Sequence, residues 1–275
     1  MSPEPDLVFD VGMHNGDDTA YYLHKGYRVV AVEANIGLVE RARRRFAPAL
    51  EHGTLRILNV GITAEAGEAE FFISPAHDFW SSFDRQLAAR AGAYRTVRVA
   101  CTPFAPLLEA HGVPYYLKID IEGNDHLCLG ALERVSLPAY VSIEMSHENG
   151  GRDIERLAAL GYRRFQCIRQ TDYAPMTPES AERSATLRRA YSRWKPAHFA
   201  VLAGRRIQRT LRPPSDGAWN FPKGSSGPFG AGLAGPWLPV ANVLEVWRIL
   251  RDVDLELGNH GLGEWFDIHA AAAPA

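Results

Sequence analysis

This 275-residue sequence has no long apolar run, a small net charge and few cysteines. A membrane-spanning helix needs about 18 or more consecutive apolar residues, and no run approaches that length. The amino-terminal residues contain neither the basic segment nor the apolar segment of a secretory signal. With a formal net charge of −2, the chain has no general attraction for polyanions, and it lacks a recognised nucleic-acid-binding motif. We therefore expect neither a membrane nor a nucleic acid as partner.

The three cysteines, Cys101, Cys128 and Cys167, are odd in number and far apart along the chain. Their spacing fits neither a disulfide framework nor a zinc site, so we expect buried free thiols in a reducing compartment. Together with the missing secretory signal, this predicts a cytoplasmic protein. Hydrophobic residues make up 46% of the chain, enough for the core of one large domain with an extension or a small second domain.

Two short β-branched, apolar runs, residues 7–11 and 28–34, flank a segment with helical spacing that begins at a glycine-containing turn. This pattern predicts a βαβ unit, in which a crossover helix joins two buried parallel strands. Gly12 and Gly16 allow the chain to turn sharply and a ligand to approach the backbone closely. An ordinary strand–turn–helix with two turn glycines is the alternative.

Acidic side chains accompany this turn and favour a ligand site. Asp10 lies near the end of the first strand, and Glu33 ends the second strand about twenty residues beyond the glycines, where such folds place an acid that holds ribose hydroxyls. The dinucleotide fingerprint G-x-G-x-x-G is broken, because His14 stands in place of its second glycine. Asp17 and Asp18 begin the helix and would repel a pyrophosphate, but they suit a cation. The stretch therefore predicts a site for S-adenosylmethionine.

Strand and helix patterns alternate along the rest of the chain, which predicts an open α/β sheet. The further predicted strands are residues 54–62, 68–74, 96–101, 139–145, 163–169 and 198–204. The further predicted helices are residues 36–46, 103–111, 125–135, 150–161, 178–194 and 240–257. Residues 75–84, rich in aromatic and hydroxyl side chains, form either a ligand-binding loop or an aromatic cap on the core.

Charged side chains interrupt residues 115–123, which otherwise fit a fully buried central strand. Lys118, Asp120 and Glu122 alternate, so they share one face of the strand. Buried charges are costly unless they are paired or used, and ligands gather at the carboxyl ends of such strands. We therefore predict acid–base chemistry or metal ligation here, rather than a structural ion network. Glu144, at the end of the next central strand, could face Asp120 across the same site.

The last part of the sequence changes in character. We predict a first domain over residues 1–212 and an extension over 213–275, in which a glycine- and proline-rich loop (222–236) precedes an amphipathic helix. The extension could cover the substrate as a lid, a plain linker being the alternative, and residues 270–275 are predicted to be disordered. A basic stretch without acids, residues 183–212, could meet an anion, although a solvated helix face is the commoner explanation. The aromatic residues expected to shape a substrate pocket are Trp219, Phe221, Phe229 and Trp237.

Several of these segments together resemble the FkbM-type S-adenosylmethionine-dependent methyltransferases, over roughly residues 7–170. The most specific is Lys118-Ile-Asp-Ile-Glu-Gly123. The resemblance implies a class I methyltransferase (Rossmann-like) fold. Such a fold has a seven-stranded, mostly parallel sheet, helices on both faces and an antiparallel last strand, for which residues 198–204 are the candidate. One departure is Gly12-Met13-His14, where the family usually has Gly-Ala-Asn. The other matching segments are Val8-Phe-Asp-Val-Gly12, Val32-Glu-Ala-Asn35, Asn59-Val-Gly-Ile62, Ser81-Ser82 and Ile143-Glu144.

The family methylates mainly hydroxyl oxygens of sugars, polyketides and related metabolites, which implies a small hydroxylated substrate. Methyl transfer to a hydroxyl requires positioning and removal of a proton. Asp120 is the predicted residue nearest the hydroxyl, Glu122 and Glu144 support it, and Lys118 orients the acids. The predicted cofactor-binding residues are Asp10, Gly12, His14, Gly16, Thr19, Glu33, Ala34, Asn59 and Asp120.

Three alternatives stay open at this stage. A Mg²⁺-like ion could be held by Asp120, Glu122 and Glu144, with His147 as an optional further ligand. Carboxylate oxygens suit such a hard cation, but a metal site is not the predicted arrangement. A nicotinamide-dependent oxidoreductase would also use Gly12 and Glu33, although the broken glycine pattern counts against it. A non-catalytic metabolite-binding protein of the same fold is the third. The sequence leaves open whether the protein is a monomer or a homodimer.

Overall fold

The computed structural model describes residues 2–75, 81–89, 92–121, 123–132, 137–193, 215–258 and 264–272. The chain divides into two compact units, Met1–Ile143 and Glu144–Ala275. The predicted domain limits, 1–212 and 213–275, stay a prediction. Glu122 and the predicted strand 198–204 lie outside the described residues. Within the described part of the chain, no helix combines the length and apolar character needed to cross a membrane.

The first unit begins with the predicted βαβ arrangement. Strand β1 (Glu4–Val11) and strand β2 (Arg28–Val32) are parallel neighbours, and helix α1 (Asp17–His24) connects them. Apolar residues fill the last part of β1 and nearly all of β2 because both strands are buried within the unit. The glycine-containing turn lies between β1 and α1, as the sequence predicts.

The remaining elements of the first unit include three strands that extend β1 and β2 into a parallel sheet with the order β3-β2-β1-β7-β8. The order reverses direction between β1 and β7, which makes the carboxyl ends of these two strands the switch point of the sheet. These elements are α2 (Ile36–Arg45), α3 (Ala47–Glu51), β3 (Leu55–Leu58), β4 (Gly61–Ile62), β5 (Gly67–Ile73), α4 (Arg85–Ala88), β6 (Arg95–Thr102), α5 (Ala105–His111), β7 (Pro114–Ile119), α6 (Asp125–Ala131) and β8 (Tyr140–Glu144). The predicted α/β fold with a mostly parallel sheet is confirmed.

Three strands of this unit form a separate small sheet, β4-β6-β5, which the sequence analysis did not predict. The predicted strand 54–62 is in fact two strands, because the chain leaves the parallel sheet at Asn59 and Val60. Phe83 packs edge-to-face on Phe71 with 5.0 Å between ring centroids and joins the apolar cluster of this sheet. Phe83 thus caps a core, whereas residues 76–80 of the same loop lie outside the described residues.

The second unit is built on antiparallel strands, with β9 pairing on one side with β10 and on the other with β13. The prediction of a disordered carboxyl-terminal tail is wrong for residues 270–272, which belong to β13 and pair with β9. Alanine has a low strand propensity, so the sequence alone hides this strand, and packing decides its conformation. The elements are α7 (Gly150–Leu160), β9 (Tyr162–Arg169), β10 (Pro175–Met176), α8 (Pro178–Ser192), β11 (Ser215–Asp216), β12 (Trp219–Asn220), α9 (Val240–Glu256) and β13 (Phe266–Ala272).

The glycine- and proline-rich segment 222–236 is tightly shaped by hydrogen bonds within the second unit. The buried Gln166 side chain lies on β9, and its amide nitrogen is 3.1 Å from each of three carbonyl oxygens, those of Ala234, Gly235 and Pro236. The Tyr173 hydroxyl donates to the carbonyl of Ser225 at 3.1 Å. The segment is therefore anchored at both of its ends. Its role as a lid stays a prediction.

The aromatic residues of the extension differ in how deeply they are buried. Phe221 and Phe229 are buried, so they contribute to the core of the second unit. Trp237 is half-buried, and the guanidinium of Arg164 lies 5.6 Å from the centre of its ring. The prediction that the three cysteines are buried free thiols is confirmed.

Candidate active site

The turn after β1 packs against the end of β2 and against the residue that follows β7. The backbone nitrogens of Gly12 and Met13 both donate to the carbonyl of Val32 at 3.0 Å. Gly12 has a φ of +87°, and a Cβ atom at this position would overlap the backbone carbonyl oxygen of Asp120. Gly16 has a φ of +81°, and a Cβ atom there would lie 2.6 Å from the ring of Phe46. Both predicted glycines are thus required by backbone conformation and by close packing.

Lys118 lies at the centre of a group of carboxylates. Its Nζ is 3.4 Å from Asp10 Oδ1, 3.6 Å from Asp120 Oδ2 and 3.8 Å from Asp18 Oδ2. The same nitrogen donates a hydrogen bond of 3.0 Å to the carbonyl of Gly12. The structure therefore brings together Lys118, Asp120 and Asp10, which the sequence singled out, and adds Asp18 from the first turn of α1.

Burial and charge act in opposite directions on this group. Burial alone would lower the pKa of Lys118, but the charges of Asp10, Asp120 and Asp18 outweigh it and hold that pKa well above its ordinary value. Burial raises the pKa of Asp10, although Lys118 and a 2.6 Å hydrogen bond from the Thr19 hydroxyl partly oppose this. Asp10 is fully buried, whereas the side chain of Asp120 is 36% exposed. Asp120 is thus the carboxylate of this group that a ligand can reach.

Glu33 connects the turn after β1 to the start of α2. Its carboxylate accepts hydrogen bonds of 2.8 Å from the backbone nitrogens of His14 and Asn35. Burial raises the pKa of Glu33, and these two backbone bonds oppose the shift. The amide of Asn59 donates to the carbonyls of Glu33 and Ala34 and so fixes the backbone at the end of β2. Each Glu33 oxygen has a second lone pair with which it could accept a ribose hydroxyl.

His14 adopts a left-handed backbone conformation, with a φ of +52°. Asn, Asp and His are the non-glycine residues that most often tolerate this region. The backbone nitrogen of this residue, rather than its side chain, makes the 2.8 Å bond to Glu33. The exchange of asparagine for histidine therefore preserves the backbone conformation on which the turn depends.

Asp125 is a residue of this site that the sequence analysis missed. Its two carboxylate oxygens accept hydrogen bonds from the backbone nitrogens of Ile121, at 3.1 Å, and Gly123, at 3.2 Å. Burial raises the pKa of Asp125, and the charge of Asp120 raises it further. The signal that could have revealed it is an aspartate in the first turn of a helix, directly after the N-cap Asn124, where the helix dipole favours an acid.

Glu144 and His147, which were also predicted, belong to the second unit. Glu144 is half-buried at the end of β8 and is the first residue of the second unit. His147 is hydrogen-bonded through Nε2 to Asp254 Oδ2 at 2.7 Å. Over the described ranges, which omit Glu122, no group of three or more His, Cys, Asp or Glu side chains is arranged to hold a metal ion.

A cavity of about 420 Å³ lies at the amino-terminal ends of the strands of the parallel sheet, opposite the carboxyl ends that carry the candidate site. Buried Leu7 and Val29 and the exposed Arg56 are among its lining residues. It shares no residue with the group around Lys118 or with Glu33. The candidate active site is therefore defined by its side chains and not by this cavity.

A family model described as "Methyltransferase FkbM domain" matches residues 10–164. No curated protein matches the chain. The chain is similar to a solved structure of methyltransferase FkbM from Methylobacillus flagellatus KT, with 15% identity and a TM-score of 0.36, covering 53% of this chain and 34% of that one. It is also similar to precorrin-6y C5,15-methyltransferase from Geobacter metallireducens GS-15, with 12% identity and a TM-score of 0.36, covering 61% of this chain and 69% of that one. Because the matched residues make up more than half of its length, the chain belongs to the FkbM methyltransferase domain family.

Proposed function

We propose that the protein uses S-adenosylmethionine to methylate a hydroxyl oxygen of a small molecule, such as a sugar or a polyketide. The single observation that supports this most is the accessible Asp120 carboxylate beside buried Lys118, at the switch point of the sheet. A hydroxyl is a weak nucleophile, and a carboxylate next to it can accept the proton that it loses. The family supports the methyltransferase class, and the hydroxyl acceptor is our proposal.

The cofactor we propose is supported by the charge of the turn. Helix N-termini attract phosphate, and dinucleotide-binding folds use them in that way. Here Asp17 and Asp18 occupy the first turn of α1, where a pyrophosphate would bind. Asp17 is paired with Arg45 at 2.8 Å, and Asp18 lies 3.8 Å from Lys118. These acids oppose a nicotinamide dinucleotide and favour a cofactor that has a ribose and a positive charge.

Each side chain has a distinct task in the proposed reaction. S-adenosylmethionine, when bound, would supply an electrophilic methyl group. Glu33 is placed to accept hydrogen bonds from a ribose. Asp120 accepts the proton as the acceptor oxygen forms its bond to the methyl carbon and the carbon–sulfur bond breaks. Lys118 pairs with Asp120 at 3.6 Å and links it to the turn through the Gly12 carbonyl.

Some of the predicted residues act indirectly in this proposal. Asp10 is buried and bonded to Thr19 and Lys118. It therefore acts on the reaction by holding these residues in position and not by contacting the substrate. The supporting roles of Glu122 and Glu144 stay predictions.

Isothermal titration calorimetry with S-adenosylhomocysteine, and with NADH as the control, tests the cofactor class. We expect S-adenosylhomocysteine to bind with micromolar affinity and NADH not to bind. Binding of NADH alone would refute the methyltransferase assignment of this site. It would also remove the reason for giving Asp120 a role in proton transfer.

The variant Asp120→Asn tests the catalytic role. The amide has the shape of the carboxylate but cannot accept the proton, so we expect methyl transfer to a panel of hydroxylated acceptors to fall by about 100-fold or more. The affinity for S-adenosylhomocysteine should be nearly unchanged, since this ligand carries no sulfonium. Turnover at the wild-type rate in this variant would refute the assignment.

A further inference from the structure

We infer that the acids around Lys118 make the site selective for the cationic cofactor over its neutral product, and that Asp120 sets this selectivity. The inference rests on the proposed function. Methyl transfer moves a methyl group from sulfur to oxygen, converts the sulfonium to a neutral thioether and releases the hydroxyl proton. The cofactor therefore loses one positive charge in each turnover. A site with excess negative charge binds the form before transfer better than the form after it.

In the described part of the chain, the charged side chains that pair with Lys118 within 4 Å are all acids. Asp10, Asp18 and Asp120 all lie within 4 Å of the single ammonium of Lys118. Asp125 adds a further carboxyl group close enough for Asp120 to raise its pKa. A single ammonium cannot neutralise all of these carboxylates. Burial is the main cause of the raised pKa of Asp10, while the charge of Lys118 opposes the shift and the charge of Asp18 adds to it.

The accessible part of the group is negative, because its positive charge is hidden. The Lys118 side chain is 5% exposed, and its ammonium is directed to the Gly12 carbonyl and the surrounding acids. Asp10 and Asp18 are buried as well. Among Lys118, Asp10, Asp18 and Asp120, the side chain of Asp120 is the most exposed, so the charge of this group that a bound ligand meets is negative.

The position of Asp120 is fixed from both sides. Its backbone nitrogen donates to the carbonyl of Val11 at 2.9 Å, and its carbonyl oxygen lies against Gly12, where a Cβ atom would overlap it. The carboxylate of Asp125 holds the following turn through the backbone nitrogens of Ile121 and Gly123. These contacts hold the backbone of Asp120 in place, and Lys118, 3.6 Å from Oδ2, holds its carboxylate when the cationic ligand leaves. The site therefore keeps its preference throughout the catalytic cycle.

Calorimetric titration with S-adenosylmethionine and S-adenosylhomocysteine tests the inference without a methyl acceptor. The two ligands differ only in the methyl group and its charge. We expect S-adenosylmethionine to bind about tenfold more tightly than S-adenosylhomocysteine to the wild-type protein at low salt. Sinefungin, which carries an amine near the sulfonium position and transfers no methyl group, should also bind more tightly than S-adenosylhomocysteine.

The variant Asp120→Asn should reduce the affinity ratio to nearly one, mainly by weakening the two cationic ligands. Glu51→Gln is the matched control, because it removes the same charge from an exposed position at the end of α3 and should leave the ratio unchanged. Thermal unfolding by circular dichroism will show whether each variant is folded. If Asp120→Asn is not, the salt dependence of the wild-type ratio replaces it, and the ratio should fall as salt increases.

The possible outcomes separate the inference from the proposed function. Equal wild-type affinities for the charged and neutral ligands, or a ratio that Asp120→Asn leaves unchanged, would overturn the inference while S-adenosylhomocysteine binding still supports the function. If none of the three ligands binds, the proposed function itself fails, and the inference fails with it.

Discussion

Single residues in the turn after β1 determine whether the site can form at all. Gly12 and Gly26 have nearly the same positive φ, +87° and +86°. A Cβ atom at Gly26 would meet nothing within 4 Å, whereas at Gly12 it would overlap the Asp120 carbonyl. The two alanine variants therefore share the backbone strain and differ in the steric overlap. Comparing Gly12→Ala with Gly26→Ala therefore separates the cost of the steric overlap from the cost of the backbone strain.

We expect Gly12→Ala to lower the free energy of unfolding by about 2 kcal/mol more than Gly26→Ala does, because the overlapping atom belongs to the backbone and cannot move aside. Urea unfolding followed by circular dichroism measures both variants. Gly12→Ala should also weaken binding of S-adenosylhomocysteine, which Gly26→Ala should not. Equal losses of stability in the two variants would show that strain alone explains the glycine.

The role of His14 can be tested at the same scale. If the left-handed backbone is what matters, His14→Asn should leave stability and S-adenosylhomocysteine affinity within about 0.5 kcal/mol of wild type. His14→Val should lower the free energy of unfolding by about 1–2 kcal/mol, because a β-branched residue resists a positive φ. Loss of binding in His14→Asn without loss of stability would instead assign a ligand contact to the imidazole.

Secondary-structure elements were predictable where their residues follow a clear period. The βαβ unit, β7 and the helices α7 and α9 all appear close to their predicted positions, since their apolar residues repeat at strand or helix spacing. The small sheet of β4, β5 and β6 was missed, because each of its strands alone looks like one more strand of the main sheet. Strand β13 was missed completely, and its last residues were predicted to be disordered because alanine carries no strand signal.

The candidate site was predictable to a similar extent. Lys118 and Asp120 stood out as charges in a buried strand, and the glycines of the turn stood out by their spacing. Asp18 and Asp125 were not proposed as site residues, because each is an ordinary acid at the start of a helix until the fold brings it next to the group. Tertiary packing decides which of these carboxylates stays exposed to solvent, and no periodicity in the sequence predicts it.

A buried ionic group links three elements of the second unit. Asp254 on α9 bonds both Arg188 on α8 and His147, which follows β8, and the side chains of Arg188 and Asp254 are almost fully buried. Two arginines in the described part of the basic stretch are thus used in internal pairing, since Arg189 also bonds Glu256. A solvated helix face was the favoured explanation of this stretch and an anion partner the alternative. Burial lowers the pKa of His147, and the charge of Arg188 lowers it further.

We expect Asp254→Asn to lower the free energy of unfolding by about 3 kcal/mol, because it leaves the buried Arg188 guanidinium without its carboxylate partner. The control is Glu256→Gln, which removes a half-exposed partner of Arg189 on the same helix and should change stability by less than about 1 kcal/mol. Guanidinium unfolding of the full chain measures both. Similar small effects in the two variants would contradict a stabilising role for the buried group.

For the molecule as a whole, buried ionisable groups respond to acid in opposite directions. Burial raises the pKa values of Asp10, Glu33 and Asp125, so these carboxyl groups bind protons more readily in the folded than in the unfolded chain. Their contribution to stability therefore increases as the pH falls. His269 on β13 acts in the other direction, because burial lowers its pKa to about 3. The pH dependence of stability is the sum of these opposing contributions.

The contribution of His269 can be isolated by comparing the wild type with His269→Gln at two pH values. Below its usual pKa of about 6.5, this histidine takes up a proton in the unfolded chain, whereas in the folded protein it stays neutral down to a pKa of about 3. Stability that depends on it is therefore fully present above about pH 6.5 and lost as the pH falls toward about 3. Between pH 7 and pH 5 the wild type should lose about 2 kcal/mol more unfolding free energy than the variant, measured by urea denaturation. The control is His52→Gln, which removes an exposed histidine and should show the same pH dependence of stability as the wild type. If His269→Gln also shows the wild-type pH dependence, His269 is not a buried neutral group in the folded protein.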